Sequence, residues 1–291
     1  MAGAIASGAT LILGTVQAQA ADFGVPSPVY SADECVDAAW VARTGAVILT
    51  RDGPPLVPPA GQFILDNSGF GWVAGPDVYV ARRIHCVHWI DVRHFSVQGW
   101  HADYLLDDGF GTVFDGSYDA GLYSTEINLR TQRSDRFAYL VGFRWIELHE
   151  QINNELSAIG FAFATSTGAH LYGGQVGVDA VLWSAGRFSV EGSAKAGVYW
   201  THNQGHYTNT VGFDQTATER SVAFVGDLGV AGVYQATERV GVRAGYQLLW
   251  INNVALAGNQ LQFSVVPPPL PLDTNGSVFA HGASLGIEIN W

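Results

Sequence analysis

The stretch FSVEGSAKAGVYW, residues 188–200, decides the fold because apolar and polar residues alternate along it. The even positions are apolar or small: Phe188, Val190, Gly192, Ala194, Ala196, Val198 and Trp200. The odd positions between them are Ser189, Glu191, Ser193, Lys195, Gly197 and Tyr199. A period of two predicts a β-strand whose two faces meet different surroundings. Its apolar face begins and ends on an aromatic ring.

The same alternation recurs along the chain, for example at residues 240–250 and at residues 279–291, where the chain ends on Trp291. The alternating segments run about 10 to 15 residues, whereas strands of soluble proteins cluster near 5 to 6. Lipid gives a sheet edge no hydrogen-bond partner, so a β-structure in a membrane closes into a barrel that is apolar outside. The pattern therefore predicts an all-β, transmembrane, antiparallel up-and-down β-barrel.

Composition supports this class. Charged residues make up 14% of the 291 residues, against roughly 25% in ordinary soluble domains. No mature stretch holds the ~20 consecutive apolar residues of a spanning helix. The formal net charge of −12 argues against a nucleic-acid partner, because phosphate neutralisation needs clustered Lys and Arg.

We predict about ten strands, within a range of about 8 to 12, an even number being usual in bacterial barrels. They are expected near residues 77–90, 93–105, 121–132, 136–149, 152–164, 170–183, 186–201, 220–236, 238–252 and 277–291. The alternative is a soluble β-sandwich or lipocalin-type barrel with its apolar residues inside. Small residues such as Gly192 and Ala194 would fill such a core poorly.

The first part of the chain predicts export. Residues 1–20 resemble a signal peptide that ends in an A-x-A cleavage site, Ala18 to Ala20. Residues 21–76 contain proline clusters and are interpreted as an N-terminal segment outside the barrel, which then occupies residues 77–291. In an exported chain Cys35 and Cys86 could form a disulfide, and two free thiols are the alternative.

Five ordered blocks resemble one family. They are YSTEINLR (123–130), YLVGFRWIELHEQI (139–152), HLYGGQVGVDA (170–180), KAGVYWTHN (195–203) and the run from AFVGDLGVAGVY at residue 223 to the end of RVGVRAGYQLLWINNVAL. Together they resemble the BBP7 family, the β-barrel porin-7 group of planctomycete outer-membrane proteins, over roughly residues 95–291. The resemblance implies location in the bacterial outer membrane and a porin that passes small solutes. Asp107 and Asp108 stand where the family pattern has tryptophans.

The alternation assigns side chains to the lumen and to the membrane interfaces. The predicted lumen-lining residues are Glu126, Arg130, Arg144, Asp179, Glu191, Lys195, Asp227, Arg239, Arg243 and Glu288. The predicted interfacial aromatics are Phe188, Trp200, Trp250, Phe279 and Trp291. A barrel of about eight to ten strands is just wide enough for side chains, so balanced lumen charges can pair and close it. A closed structural barrel with an internal ion-pair network therefore competes with the porin that the resemblance implies.

Signals for chemistry are sparse, and we expect no enzyme, cofactor or metal. His94 and Ser96 share a strand face, which leaves a lipid-modifying enzyme as a third function, but no third residue completes a site. His85, Cys86 and His88, or the pair His202 and His206, lack a full ligand set for zinc. An acidic turn at Asp103, Asp107 and Asp108 is the candidate for calcium. The expected partners are outer-membrane lipid and the barrel assembly machinery, with small solutes if the lumen is a pore.

Overall fold

The structure is a computed structural model that describes residues 40–53, 63–67, 69–107, 112–156, 159–260 and 271–291. The predicted signal peptide, residues 1–20, and Cys35 lie outside the described residues. Within them the chain forms eleven strands and one short 3-10 helix at Ala257–Gln260. The strands are β1 Trp40–Arg51, β2 Phe63–Asn67, β3 Val73–His85, β4 His88–Asp107, β5 Val113–Ser134, β6 Phe137–Leu156, β7 Phe161–Ala185, β8 Phe188–Asn209, β9 Asp214–Gln235, β10 Val240–Val254 and β11 Gly276–Asn290.

Ten of these strands form a closed ring of antiparallel neighbours. Each strand from β3 to β11 pairs with the next, and β1 pairs with both β3 and β11. The short β2 pairs with β4 beyond the end of β3 and adds no position to the ring. At the seam, the backbone amides of Trp40 and Trp291 each donate to the other residue's carbonyl, at 2.7 and 3.0 Å, and the two indoles stack. The predicted ten-stranded up-and-down barrel is confirmed.

One strand of the ring was not predicted, and one predicted strand was wrong. The ring begins at Trp40 with β1, so the boundary at residue 77 and the placement of residues 40–51 outside the barrel were wrong. The predicted strand at residues 152–164 covers the end of β6 and the start of β7, which turn at Gly160. The number ten still agrees because β1 was missed and one extra strand was predicted across the turn between β6 and β7.

The two ends of the barrel differ in their connections. Four turns of two to four residues join β3–β4, β5–β6, β7–β8 and β9–β10, and the seam of Trp40 with Trp291 lies beside them; we call this the short-turn end. The opposite end carries the other connections, including the long segment between β10 and β11, and we call it the long-loop end. The residues between the predicted strands 186–201 and 220–236 are largely strand, because β8 runs to Asn209 and β9 begins at Asp214.

The outer surface changes character along the strands. Outward residues of β8 are apolar or small from Phe188 to Trp200 and polar from His202 to His206. Twelve residues at ~3.3 Å each, tilted by about 40°, span about 30 Å, the thickness of a hydrocarbon core. We call this zone, which adjoins the short-turn end, the belt, and the remainder of the barrel towards the long-loop end the extension.

A β-bulge in β4 changes which residues of the strand point into the barrel. The register with β5 shifts between Gln98 and Trp100, and Gly99 adopts a φ of 89° that favours glycine. Before the bulge the odd residues Phe95 and Val97 point inward, and after it the even residue Trp100 does so. The bulge therefore turns the Trp100 indole into the barrel, where its N–H donates to the Leu49 carbonyl at 3.0 Å.

No helix among the described residues is long and apolar enough to cross a membrane.

Candidate functional site

The lumen of the belt holds a network of ion pairs. Lys195 Nζ lies 2.7 Å from Glu126 Oε1 and 3.8 Å from Asp227 Oδ2. Arg144 Nη1 lies 3.0 Å from the same Asp227 carboxylate. Gln175 donates to Glu126 at 2.7 Å and accepts from the Tyr199 hydroxyl at 3.2 Å. Buried charges require partners of this kind, because removal from water costs several kcal/mol for each ion, about as much as good pairing returns.

Further pairs continue the network towards the short-turn end. Arg43 Nε donates to Glu288 at 2.6 Å, and Arg243 Nη1 donates to Glu191 at 2.5 Å.

Two more arginines complete the set. Arg93 donates two bonds to Asp77, at 2.8 and 2.9 Å. Arg130 bridges Asp91, at 3.1 Å, and Asp179. The charges of the lumen therefore neutralise one another, both between neighbouring strands and across the lumen between strands that are not paired.

Nine of the ten predicted lumen residues lie on the inner face of the barrel and take part in this network: Glu126, Arg130, Arg144, Asp179, Glu191, Lys195, Asp227, Arg243 and Glu288. Arg239 does not, because β10 begins one residue later and Arg239 is exposed in the β9–β10 turn. Arg43, Asp77, Asp91 and Arg93 also belong to the network and were not predicted. The alternation of Asp91 and Arg93 with apolar neighbours in WIDVRHF could have found two of them.

Between the network and the short-turn end the lumen leaves a cavity of ≈ 290 Å³. Charged side chains line its inner part, including Arg43, Lys195 and Glu191, and the turn residues Asp135 and Arg136 line it at the short-turn end. The cavity meets the ion-pair network at its inner end.

The extension has the opposite interior, an apolar plug made by inward side chains of the strands together with Leu256 from the segment after β10. Its fully buried members include Leu49, Val97, Trp100, Leu106, Tyr118, Leu122, Ile146, Leu148, Ile152, Leu171, Ile251 and Leu256, each at most 1% exposed. Phe95 forms the boundary, with its ring 5.0 Å from the guanidinium carbon of Arg93 and 5.8 Å from that of Arg144. Such a packed interior excludes a continuous column of water.

One buried carboxylate ties the plug to the segment after β10. Glu150 pairs with Arg51 at 2.7 Å, and both side chains are at most 1% exposed. The Glu150 carboxylate also accepts a hydrogen bond from the Tyr118 hydroxyl and, at 2.8 Å, from the backbone N–H of Ala257. Burial raises the pKa of Tyr118, so the phenol keeps the proton that it donates. This links the 3-10 helix at the long-loop end to β1, β5 and β6.

The predicted interfacial aromatics all lie on outward positions. Phe188 contacts Tyr234 at the short-turn side of the belt, with ring centroids 4.6 Å apart, and Trp291 lies at the same end. Trp200, Trp250 and Phe279 lie at the edge of the belt that adjoins the extension. Trp200 pairs with Val222 of β9, and Trp250 pairs with Phe279 of β11.

The candidate chemical sites are not assembled. His94 Nδ1 lies 2.8 Å from Thr125 Oγ1 on the outer face, and Ser96 is 7% exposed. His85 and His88 face each other across the β3–β4 turn, with ring centroids 5.9 Å apart. Across the part of the chain that the structure describes, no three His, Cys, Asp or Glu side chains are grouped to hold a metal ion. Asp108 lies outside that part.

Cys86 lies in the β3–β4 turn and is not a free thiol. Since Cys35 lies outside the described residues, the disulfide between them remains a prediction.

The comparisons with known proteins show the fold. The chain matches no protein-family model and no curated protein. Among solved structures it is similar to the outer membrane protease OmpT from Escherichia coli, with a TM-score of 0.53 and 9% identity over 90% of this chain and 100% of that one. The toluene transporter TodX of Pseudomonas putida (TM-score 0.37, 11% identity, 88% and 90% covered) and the translocator domain of autotransporter NalP from Neisseria meningitidis (0.43, 8%, 87% and 88%) are more distant. The fold is therefore that of outer-membrane β-barrels.

Proposed function

We propose that the protein is a closed, non-conducting barrel of the bacterial outer membrane. In this role the belt anchors the chain in lipid, and the extension presents a rigid β-structure and its loops outside the membrane. The observation that carries the proposal is the apolar plug: residues such as Trp100 and Leu122 fill the extension without solvent exposure. A barrel closed in this way acts as a structural or interaction protein.

Three features support a membrane location for the belt. Its outer face is apolar over about 30 Å, its two edges carry aromatic rings, and its sheet has no free edge in the ring. Membership of the BBP7 family, export by the signal peptide and insertion by the barrel assembly machinery belong to the same proposal. They rest on the sequence blocks and on the alternating terminal strand.

The second candidate is the small-solute porin that the family resemblance implies, and the cavity at the short-turn end is the observation in its favour. That cavity meets the ion-pair network before the plug. Solute passage would require the ion-pair network and the apolar plug to open together. The resemblance to OmpT carries the fold alone at 9% identity, so it gives no support to a protease.

Planar-bilayer recording separates the two candidates. Folded protein is first identified by a mobility in SDS gels that changes on boiling, as expected for a closed barrel without an edge for detergent to open. The wild-type protein should then give no stepwise currents at a protein load where an open 16-stranded porin gives many. Reproducible unitary currents from the folded fraction would refute closure and establish the pore.

A further inference from the structure

An unpaired rim of arginines surrounds the short-turn end. Each of the four short turns has an exposed arginine within four residues of it: Arg82 before the β3–β4 turn, Arg133 and Arg136 at the β5–β6 turn, Arg187 in the β7–β8 turn and Arg239 in the β9–β10 turn. We call these five residues the arginine rim. They occur on four different strand pairs around the ring.

The guanidinium groups of the rim are available to a ligand. Among the described residues none of the five forms an ion pair, in contrast to the arginines of the lumen. Arg82 lies over the Trp40 ring, with 5.1 Å from its guanidinium carbon to the centroid, and Arg187 donates one bond of 3.3 Å to the Ala236 carbonyl. These contacts leave most of their N–H donors open. An arginine has five such donors in a planar fork that matches a phosphate.

Aromatic rings fix the level of the rim relative to a membrane. Trp40, Trp291, Phe137, Phe188 and Tyr234 form the short-turn edge of the belt. Such rings lie at the boundary between hydrocarbon and headgroups. The arginines beside and beyond them therefore reach the level of the lipid phosphates, and their long side chains can adjust to it.

The charge of this rim contrasts with that of the other end. Among the described residues, the exposed acids near the rim are Asp135 and Glu238, two against five arginines. In the described part of the extension, the outward and loop acids are Asp52, Asp103, Asp107, Asp115, Asp119, Glu147, Glu155, Asp214 and Asp273, and Arg220 is the one outward arginine. The part of the chain that the structure describes thus places its uncompensated cations at one membrane interface.

We propose that the arginine rim binds the headgroups of anionic phospholipids in the leaflet at the short-turn end. Each guanidinium would take a phosphate oxygen pair by charge-assisted hydrogen bonds, and neighbouring turns would engage separate lipids. The inference rests on the proposed membrane location of the belt. A Lys or Arg near an anionic surface changes affinity by about fivefold.

The test measures which lipids surround the folded barrel. Wild-type protein, the triple variant Arg136→Gln/Arg187→Gln/Arg239→Gln and the control Arg220→Gln are refolded into vesicles of phosphatidylcholine that contain one fifth phosphatidylglycerol. Tryptophan quenching by chain-brominated phosphatidylglycerol is compared with quenching by brominated phosphatidylcholine. The control removes an exposed arginine at the opposite end.

We expect wild type and Arg220→Gln to prefer phosphatidylglycerol by about fivefold or more, and the triple variant or 1 M salt to bring the ratio near one. Equal quenching by both lipids in the wild type would overturn the proposal. Loss of preference in sodium phosphate, but not in sodium chloride of the same ionic strength, would instead identify a site for free phosphate and also overturn it.

Refolding into pure phosphatidylcholine keeps the two proposals apart. All three proteins should insert there and show heat-dependent mobility, because the rim is not needed for burial of the belt. Failure of the wild type to insert into either vesicle would refute the membrane location itself. Normal insertion without lipid preference would refute the rim alone.

Discussion

The inward and outward assignments make a sharp prediction at Ala194 and Ser193. Ala194 lies six residues from Phe188 and six from Trp200, so it is at the centre of the belt. It faces outward, in a shallow apolar groove with Leu182 and Leu228. Ser193 faces the lumen cavity instead. An arginine at either position tests which side meets lipid.

The expected penalties differ by geometry. Six residues at ~3.3 Å and a tilt near 40° place Ala194 about 15 Å from either edge of the belt, farther than an arginine side chain reaches. Ala194→Arg should therefore reduce the free energy of unfolding by about 2 to 4 kcal/mol. At Ser193 the new guanidinium would face Asp179, its partner on β7, and Glu191 lies on the same face. Crowding there should cost only about 1 kcal/mol.

Urea titration of both variants in phosphatidylcholine vesicles, followed by heat-dependent mobility, gives the two free energies. The wild type should also stay insoluble without detergent or lipid, which a soluble barrel would not. Equal losses, or a larger loss for Ser193→Arg, would refute the assignment of the faces.

The extension offers two further tests. Glu150→Gln leaves the Arg51 guanidinium, 1% exposed, without its counter-ion, so it should reduce the free energy of unfolding in urea by about 3 to 5 kcal/mol. The control is Glu147→Gln, which should change the free energy little because the Glu147 side chain is partially exposed and lies 3.9 Å from His170. Equal effects of the two substitutions would contradict the role of the Glu150–Arg51 pair. His101 Nδ1 donates a hydrogen bond of 2.7 Å to Asp119, and its Nε2 lies 3.2 Å from Asp103. The hydrogen bond to Asp119 raises the pKa of His101. Because the folded pKa exceeds the unfolded value of about 6.5, this contribution is complete below that value and is lost as the pH rises through the folded pKa. NMR titration should show the raised pKa, and Asp119→Asn should lower it; an unchanged value would remove Asp119 as the cause.

The barrel class followed from the sequence because a membrane imposes period-two alternation over a long distance. In the segment at 188–200 that alternation is complete, and the structure places the even residues on the outer face and the odd residues on the inner face. The pairing partners of the lumen charges could be predicted less completely from the sequence. Pairs such as Lys195 with Glu126 join β8 and β5, which are not neighbours in the sheet, so the order of strands alone does not predict them.

Strand β1 and the bulge in β4 could not be predicted from their own segments of sequence. Strand β1 has Arg43 and Gly45 on its inner face and Thr44 on its outer face, so its alternation is weak, and its pairing with β11 defines it. The bulge at Gly99 reverses the parity of β4 by one residue. If one parity held through the strand, Trp100 would lie on the outer face, whereas the structure buries it in the plug.

The reversal of polarity within single strands explains both the plug and the wrong strand boundary. Along β6, Phe137 to Trp145 are apolar on the outer face, and beyond Trp145 the apolar residues Ile146, Leu148 and Ile152 lie on the inner face. The outer face is apolar where lipid surrounds it and polar where water does, and the inner face takes the opposite character so that each level of the sheet has one apolar side. The belt therefore has charges inside that must pair, and the extension has a core of the soluble type. An alternation that changes face in mid-strand looks like the end of one strand and the start of another, which is why the prediction divided this region. The plug is thus a consequence of strands that continue beyond the membrane: once their outer face enters water, apolar side chains can be buried only within the barrel, and the lumen closes there.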